Sequence, residues 1–160
     1  MITTMRRRAV LFLVAVSIAT NFTSAAQRRE TAEAVRKSIE HAVKATSQDQ
    51  QQAAFDELVA LGCRAVPEIV AVLDDQRRLP VAYIRLNNDG PNSFEAFGQY
   101  GPETVTDALA AILNHLTWRD FGFIYNGATP AQRKQTIAGW RTFVRDTPVK
   151  NLCAAKRSGH

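Results

Sequence analysis

The side chains that could carry metal or acid–base chemistry are few and widely spaced in this 160-residue chain. His41 and His115 each lie in a predicted helix, and neither has a second metal-binding residue three or four positions away. Zinc sites need several ligands at such short spacing. The sequence therefore favours surface or half-buried roles for both histidines, and it predicts neither a metal nor a cofactor.

Adjacent carboxylates occur at Asp56-Glu57 and Asp74-Asp75. General acid–base catalysis requires two carboxylates that face a shared pocket, whereas neighbouring residues of a helix point in directions about 100° apart. These pairs are expected at helix surfaces and ends, and we predict that the protein is not an enzyme. An envelope enzyme or metal-binding protein that uses His115, Cys63 and loop carboxylates stays open as the alternative.

Residues 1–26 have the composition of a secretory signal peptide. Residues 6–8 are three arginines, residues 9–19 are nearly all apolar, and Ser24 and Ala26 are the small residues that a signal peptidase requires. The apolar run is shorter than the roughly 20 residues that span a bilayer, which disfavours a retained membrane anchor. The mature chain is therefore expected to be periplasmic or secreted, without stable membrane insertion.

Removal of this segment changes the net charge of the chain. The full sequence has 20 Lys+Arg and 15 Asp+Glu, and three arginines leave with the signal, so the mature charge is 17 minus 15, or +2. Basic residues are scattered among acidic ones, which is typical of a mixed, solvated surface. No nucleic-acid partner is predicted.

Cys63 and Cys153 are the two cysteines of the chain. Export would place them in a compartment where disulfides form, and an even number of cysteines in an exported chain favours a bridge. The alternative is a buried Cys63 and a free thiol at Cys153 in the tail.

An aromatic segment is the candidate binding site. Four aromatic residues fall within eight positions and have an arginine among them: Trp118, Arg119, Phe121, Phe123 and Tyr125. Trp, Tyr and Arg dominate the energetics of protein interfaces. We predict that these residues, Phe123 excepted, bind a protein or peptide partner together with Arg85 from the loop over residues 75–91. The competing interpretation places the rings in the core between the last two helices.

The elements that position these residues are predicted to be helices. Apolar residues recur at spacings of three and four over residues 27–45, 47–61, 102–116 and 130–147. Ser47 and Thr129 are predicted to begin helices, because each is followed three positions later by glutamine. Gly62 is predicted to end one. Residues 75–91 have no helical period, and a short strand is expected near Tyr83.

Two stretches 39 positions apart resemble each other, residues 55–73 and 94–112. The alignment places Phe55 with Phe94 and Gly62 with Gly101, and it predicts a short helix over Ser93–Tyr100. A period near 40 in a helical chain is typical of helix-pair solenoids.

Residues 61–74, LGCRAVPEIVAVLD, resemble a HEAT-type repeat, in which a helix ends at Leu-Gly, an Ala-Val-Pro turn follows, and a second helix ends in Leu and an acidic residue. The chain is also similar to uncharacterised exported bacterial proteins in which a Phe-Gly loop, like Phe121-Gly122, precedes a closing helix. Together the repeat and the resemblance predict an all-α fold. It would be a short HEAT-like solenoid of two helix pairs with capping helices over residues 27–148, followed by a flexible tail over residues 149–160. The resemblance implies a scaffold or protein-binding role without catalysis.

Overall fold

The computed structural model describes residues 5–88 and 96–155, with side chains from residue 25 onward. The fold is mostly helical, as predicted, and carries one two-stranded antiparallel sheet. The helices are α1 (Met5–Lys44), α2 (Gln48–Ala60), α3 (Val66–Ala71), α4 (Val105–Thr117) and α5 (Pro130–Asp146), and the strands are β1 (Ile84–Asn87) and β2 (Phe97–Tyr100). Among the described residues, no helix is both long and apolar enough to cross a membrane.

The first three helices form the packed N-terminal part of the fold. α1 packs along α2, and both contribute buried side chains such as Ile39 and Leu58 to the core. The predicted cleavage point after Ala26 lies within α1, where the neighbouring side chains are exposed. The Ser47 hydroxyl accepts a hydrogen bond from the Gln50 N–H at 3.3 Å, which confirms the predicted start of α2.

The turn between α2 and α3 has the predicted glycine and proline geometry. Gly62 has φ +64°, the left-handed conformation that favours glycine after a helix. It begins a 3-10 turn over Gly62–Ala65, and Pro67 then lies in the first turn of α3, where its missing N–H costs no hydrogen bond.

The C-terminal helices place the predicted apolar residues in the core. α4 buries five apolar residues of the range that was predicted to be helical, Val105, Leu109, Ile112, Leu113 and Leu116. It begins three residues after the predicted Pro102, because the Asp107 carboxylate accepts hydrogen bonds from the Glu103 and Thr104 N–H groups. α5 begins after Thr129, as predicted, and buries Trp140.

The helix predicted over Ser93–Tyr100 is wrong for its described part. Residues 97–100 form β2, which pairs with β1 so that Ile84 lies opposite Tyr100 and Asn87 opposite Phe97; residues 93–95 lie outside the described residues. Two aromatic residues favour the strand, and Gly98 weakens a helix. Residues 55–62 and 97–101 therefore differ in secondary structure. The predicted second helix pair has a strand at residues 97–100, where its first helix was expected.

The described part of the predicted flexible tail packs against the core. Residues Val149–Asn151 form a 3-10 turn, and Leu152 and Cys153 are each 1% exposed. The predicted disulfide is present, with the Cα atoms of Cys63 and Cys153 6.1 Å apart. An apolar anchor and a covalent link thus fix this segment, which differs from the flexible tail predicted over residues 149–160. Residues 156–160 lie outside the described residues.

Candidate protein-binding surface

Trp118 begins the aromatic loop, residues 118–128, in a left-handed backbone conformation. Its φ of 55° is the only positive φ at a non-glycine residue among the described residues. Such a conformation costs about 1–3 kcal/mol and persists where its surroundings fix it. Asn114 donates a hydrogen bond to the Arg119 carbonyl at 3.0 Å, and the Thr117 hydroxyl accepts one from the Arg119 N–H at 3.2 Å. These contacts set the direction in which the loop leaves α4, with Arg119 exposed.

Phe121 and Gly122 dock the loop onto α5. A Cβ atom on Gly139 of α5 would lie 2.7 Å from the Phe121 Cβ, so only glycine permits this approach. The Phe121 ring contacts Trp140 edge-on, with 4.8 Å between the ring centroids. Gly122 has φ +141° and lies directly against Thr136. Phe121 is therefore half-buried, and its ring contributes to the core as well as to the surface.

After Gly122 the loop turns a ring outward. Phe123 is 66% exposed, although its ring centroid lies only 4.8 Å from that of the buried Tyr125. The Tyr125 ring in turn lies 5.4 Å from the Tyr100 ring of β2. A row of three aromatic rings thus leads from the exposed Phe123 to the sheet.

Asp120 holds the two halves of the loop together. Its carboxylate accepts a hydrogen bond from the Gly122 N–H at 2.8 Å, and its charge also acts on the Tyr125 hydroxyl. Burial of the hydroxyl, followed by the negative charge of Asp120, raises the pKa of Tyr125 well above its ordinary value. The phenol is neutral at physiological pH and can therefore donate to the carboxylate.

The loop is also tied to the sheet. The Asn126 Oδ1 atom accepts a hydrogen bond from the Gly101 N–H, next to β2, at 2.7 Å. We call β2 and the aromatic loop together the sheet–loop surface. Residues 75–88 run alongside, since the Leu79 N–H donates to the Glu103 carbonyl at 3.1 Å. Residues 75–88 and the aromatic loop, which were predicted to contribute to one binding site, are thus linked through residues 100–104.

Arg85 lies on the opposite face of the sheet from Tyr100. Tyr100 is paired with the buried Ile84, and side chains alternate between the two faces along a strand. The Arg85 guanidinium lies 4.8 Å from the centroid of the Phe97 ring, which is 40% exposed. Phe97 is not among the predicted site residues, because it was assigned to a helix.

The predicted site residues therefore fall into separate groups. Tyr125 lies in the row of rings, Phe121 packs on α5, and Trp118 is half-buried at the start of the loop. Arg119 is exposed beside Trp118, whereas Arg85 joins Phe97 on the outer face of the sheet.

A buried ion pair joins α4 to α5 below the loop. Arg133 donates two hydrogen bonds of 2.8 Å to the fully buried Asp107 carboxylate. Hydrogen bonding to Asp107 raises the pKa of Arg133 above its ordinary value. Asp107 also accepts hydrogen bonds from two N–H groups at the start of α4, so its oxygen atoms are all engaged in structural contacts. Sequence reasoning missed this pair; its one local sign is an acidic residue three positions after Thr104.

The residues named for the alternative enzyme or metal site are dispersed. Cys63 is bridged to Cys153 and has no thiolate to offer as a nucleophile or ligand. His115 is half-buried in α4. Within the described ranges, no group of three or more His, Cys, Asp or Glu residues could hold a metal ion.

Comparisons with known proteins identify no relative. No family model matches the chain, and no curated protein or solved structure matches it. The HEAT resemblance therefore stands on residues 61–74 alone, and the case for function rests on the geometry of the sheet–loop surface.

Proposed function

We propose that the mature chain is an exported, non-catalytic domain that binds a protein or peptide partner through the sheet–loop surface. The observation that carries this proposal is Phe123, a large apolar side chain that is 66% exposed on a loop held at several points. Asn114, Asp120 and Asn126 hold that loop by hydrogen bonds.

A fixed aromatic ring is well suited to recognition. Rigid side chains lose little conformational entropy on binding, and aromatic residues supply a large contact area. Phe97 adds a second exposed ring, with the Arg85 guanidinium against it. Aromatic residues and arginine are the types enriched at interface hot spots.

The helical part of the protein supports export and a scaffold role. The disulfide between Cys63 and Cys153 is of the kind that persists in oxidising compartments, in agreement with the signal-like composition of residues 1–26. Helices α2 and α3, with Gly62 and Pro67 between them, are the pair that we propose to be HEAT-like.

Affinity capture tests the proposal. Tagged mature protein is used as bait in an envelope extract of the producing cells, and recovered proteins are quantified by mass spectrometry. We expect Phe123→Ala to reduce recovery of the specific partner by about tenfold or more, the size of a hot-spot effect. Arg119→Ala should reduce it in the same direction.

Val149→Ala is the matched control, since Val149 is 65% exposed but lies outside the sheet–loop surface. Equal recovery of every protein by the wild-type, Phe123→Ala and Val149→Ala baits would contradict the proposed binding surface.

A further inference from the structure

The two edges of the sheet expose their backbone groups differently. The Asn88 N–H donates to the Ala96 carbonyl at 2.9 Å, which continues the β1–β2 register by one pair. Hydrogen-bonded pairs alternate along an antiparallel ladder, so the next such pairs are Leu86 with Gly98 and Ile84 with Tyr100. The backbone groups of the intervening residues therefore point away from the partner strand.

On the β1 side, the outward backbone groups of Arg85 are already paired. The Arg85 N–H donates to Gln52 Oε1 at 2.8 Å, and Gln52 Nε2 donates to the Arg85 carbonyl at 2.8 Å. The side-chain amide of Gln52 in α2 thus provides one donor and one acceptor to Arg85, as the backbone of a neighbouring strand would. The protein itself thus closes this edge at Arg85.

On the β2 side, the outward groups belong to Phe97, Gln99 and Gly101. The Gly101 N–H is paired with the Asn126 side chain at 2.7 Å. The N–H and C=O groups of Phe97 and Gln99 point outward and have no partner among the described residues. Two consecutive outward residues of β2 therefore form an open edge, which ends where the aromatic loop begins to cover it.

We propose that this open edge of β2 binds an extended peptide segment by strand addition. The inference rests on the proposed function and specifies its partner class. Alternating outward N–H and C=O groups are complementary to an extended backbone. Side-chain amides already occupy the β1 edge at Arg85 and the Gly101 end of the β2 edge.

The side chains at the edge indicate what the segment carries. Phe97 and Gln99 lie on the outer face, and Arg85 lies against the Phe97 ring. A residue paired with Phe97 would rest beside this ring, where aromatic and β-branched side chains give the best cross-strand contacts. We therefore expect the bound segment to carry an aromatic or β-branched residue opposite Phe97.

A second copy of the chain fits this edge less well. Two-fold pairing of β2 with itself through Phe97 and Gln99 would place Gly98 opposite Gly98 on the inner face. Glycines provide no cross-strand side-chain contact, and these contacts are the unit of sheet stabilisation. So short a pairing would also bury much less area than a stable dimer requires.

Gln99→Pro is the informative variant. The Gln99 N–H points away from β1, so proline removes a donor from the open edge without removing a ladder hydrogen bond. Gln99→Ala is the matched control, because it changes the same side chain and keeps the N–H. Circular dichroism confirms that both variants fold.

The probe is a phage-displayed dodecapeptide library enriched on the wild-type mature protein, and enriched peptides are synthesised for anisotropy titrations. We expect Gln99→Ala to bind them within about twofold of wild type and Gln99→Pro to bind them about tenfold or more weakly. Hydrogen exchange should show new protection at the Phe97 and Gln99 amides when peptide is bound.

Three results would overturn strand addition. Equal binding by Gln99→Pro would place the peptides elsewhere and leave the proposed function standing. An unenriched library would also overturn it, whereas the proposed function is decided separately by the envelope capture with Phe123→Ala. A wild-type dimer in sedimentation that Gln99→Pro abolishes would assign the edge to a second copy.

Discussion

The region around the disulfide and the sheet–loop surface are stabilised in different ways. Around Cys63 and Cys153 the chain is held by a covalent bridge and by apolar side chains such as Leu152, which is 1% exposed. The sheet–loop surface is held largely by hydrogen bonds from polar side chains, and it leaves Phe97 and Phe123 exposed. If the sheet–loop surface binds a partner as proposed, this difference predicts that stability and recognition depend on separate residues, so that substitutions can affect one without the other.

The largest effect is expected from removal of the disulfide. A Cys63→Ser/Cys153→Ser variant loses a link between residues 90 positions apart, which the chain-entropy model values at about 4–5 kcal/mol. Urea unfolding of the variant and of the oxidised wild type gives the difference directly. An unchanged unfolding midpoint would show that this region does not depend on its covalent bridge.

The next largest effect is expected at the ion pair between α4 and α5. Arg133→Ala leaves the fully buried Asp107 carboxylate without its guanidinium, which should cost about 3–5 kcal/mol. The double variant Arg133→Ala/Asp107→Asn removes the unpaired charge but keeps an oxygen acceptor for the N–H groups at the start of α4, and it should recover part of this loss in the same assay. A loss below about 1 kcal/mol in the single variant, the size expected for an exposed pair, would argue against a buried role.

A smaller, pH-dependent effect is expected within the sheet–loop surface. Because the pKa of Tyr125 is raised in the folded protein, the unfolded chain ionises this phenol first, near pH 10. The stabilising contribution is therefore fully present below about pH 10 and is lost as the pH rises toward the folded-state pKa. Tyr125→Phe should also lose the interaction of the hydroxyl with the Asp120 carboxylate, at about 1 kcal/mol near neutral pH.

The measurement is the difference in unfolding free energy between wild type and Tyr125→Phe from neutral pH to pH 11. The difference should shrink above pH 10. A constant difference would mean that Tyr125 titrates alike in the folded and unfolded chains.

The smallest stability effect is expected at Phe123. Since its side chain is 66% exposed, Phe123→Ala should change the unfolding free energy by no more than about 0.5 kcal/mol, while it weakens partner binding. Val149→Ala should match it in stability and leave binding intact. A large stability loss in Phe123→Ala alone would show that the ring belongs to the core.

Local sequence signals were sufficient for the helix ends and for β1, which lies next to Tyr83 where a short strand was expected, and insufficient for β2. Ser47, Gly62 and Thr129 act on the few residues beside them, so their patterns predict helix ends correctly. β2 exists because it pairs with β1, and this long-range pairing outweighs a weak local pattern. The similarity of residues 55–62 to residues 94–101 therefore did not extend to their structure.

The same distinction applies to the candidate site. Clustered aromatic residues in the sequence were enough to select Phe121 and Tyr125, which do make ring contacts. Phe97 can be recognised as a site residue only once its strand is known. The pairing of Asp107 with Arg133, across 26 positions, depends on how α4 and α5 pack. Sequence spacing carries no information about such contacts.

Site-specific photocrosslinking tests the central claim most directly. A photoreactive benzoylphenylalanine is placed at position 123 in one variant and at position 149 in another, two positions of nearly equal exposure at 66% and 65%. Irradiation of producing cells should give a discrete protein adduct from position 123 and none from position 149. An adduct from position 149 alone, or the same adduct from both positions, would contradict recognition by the sheet–loop surface.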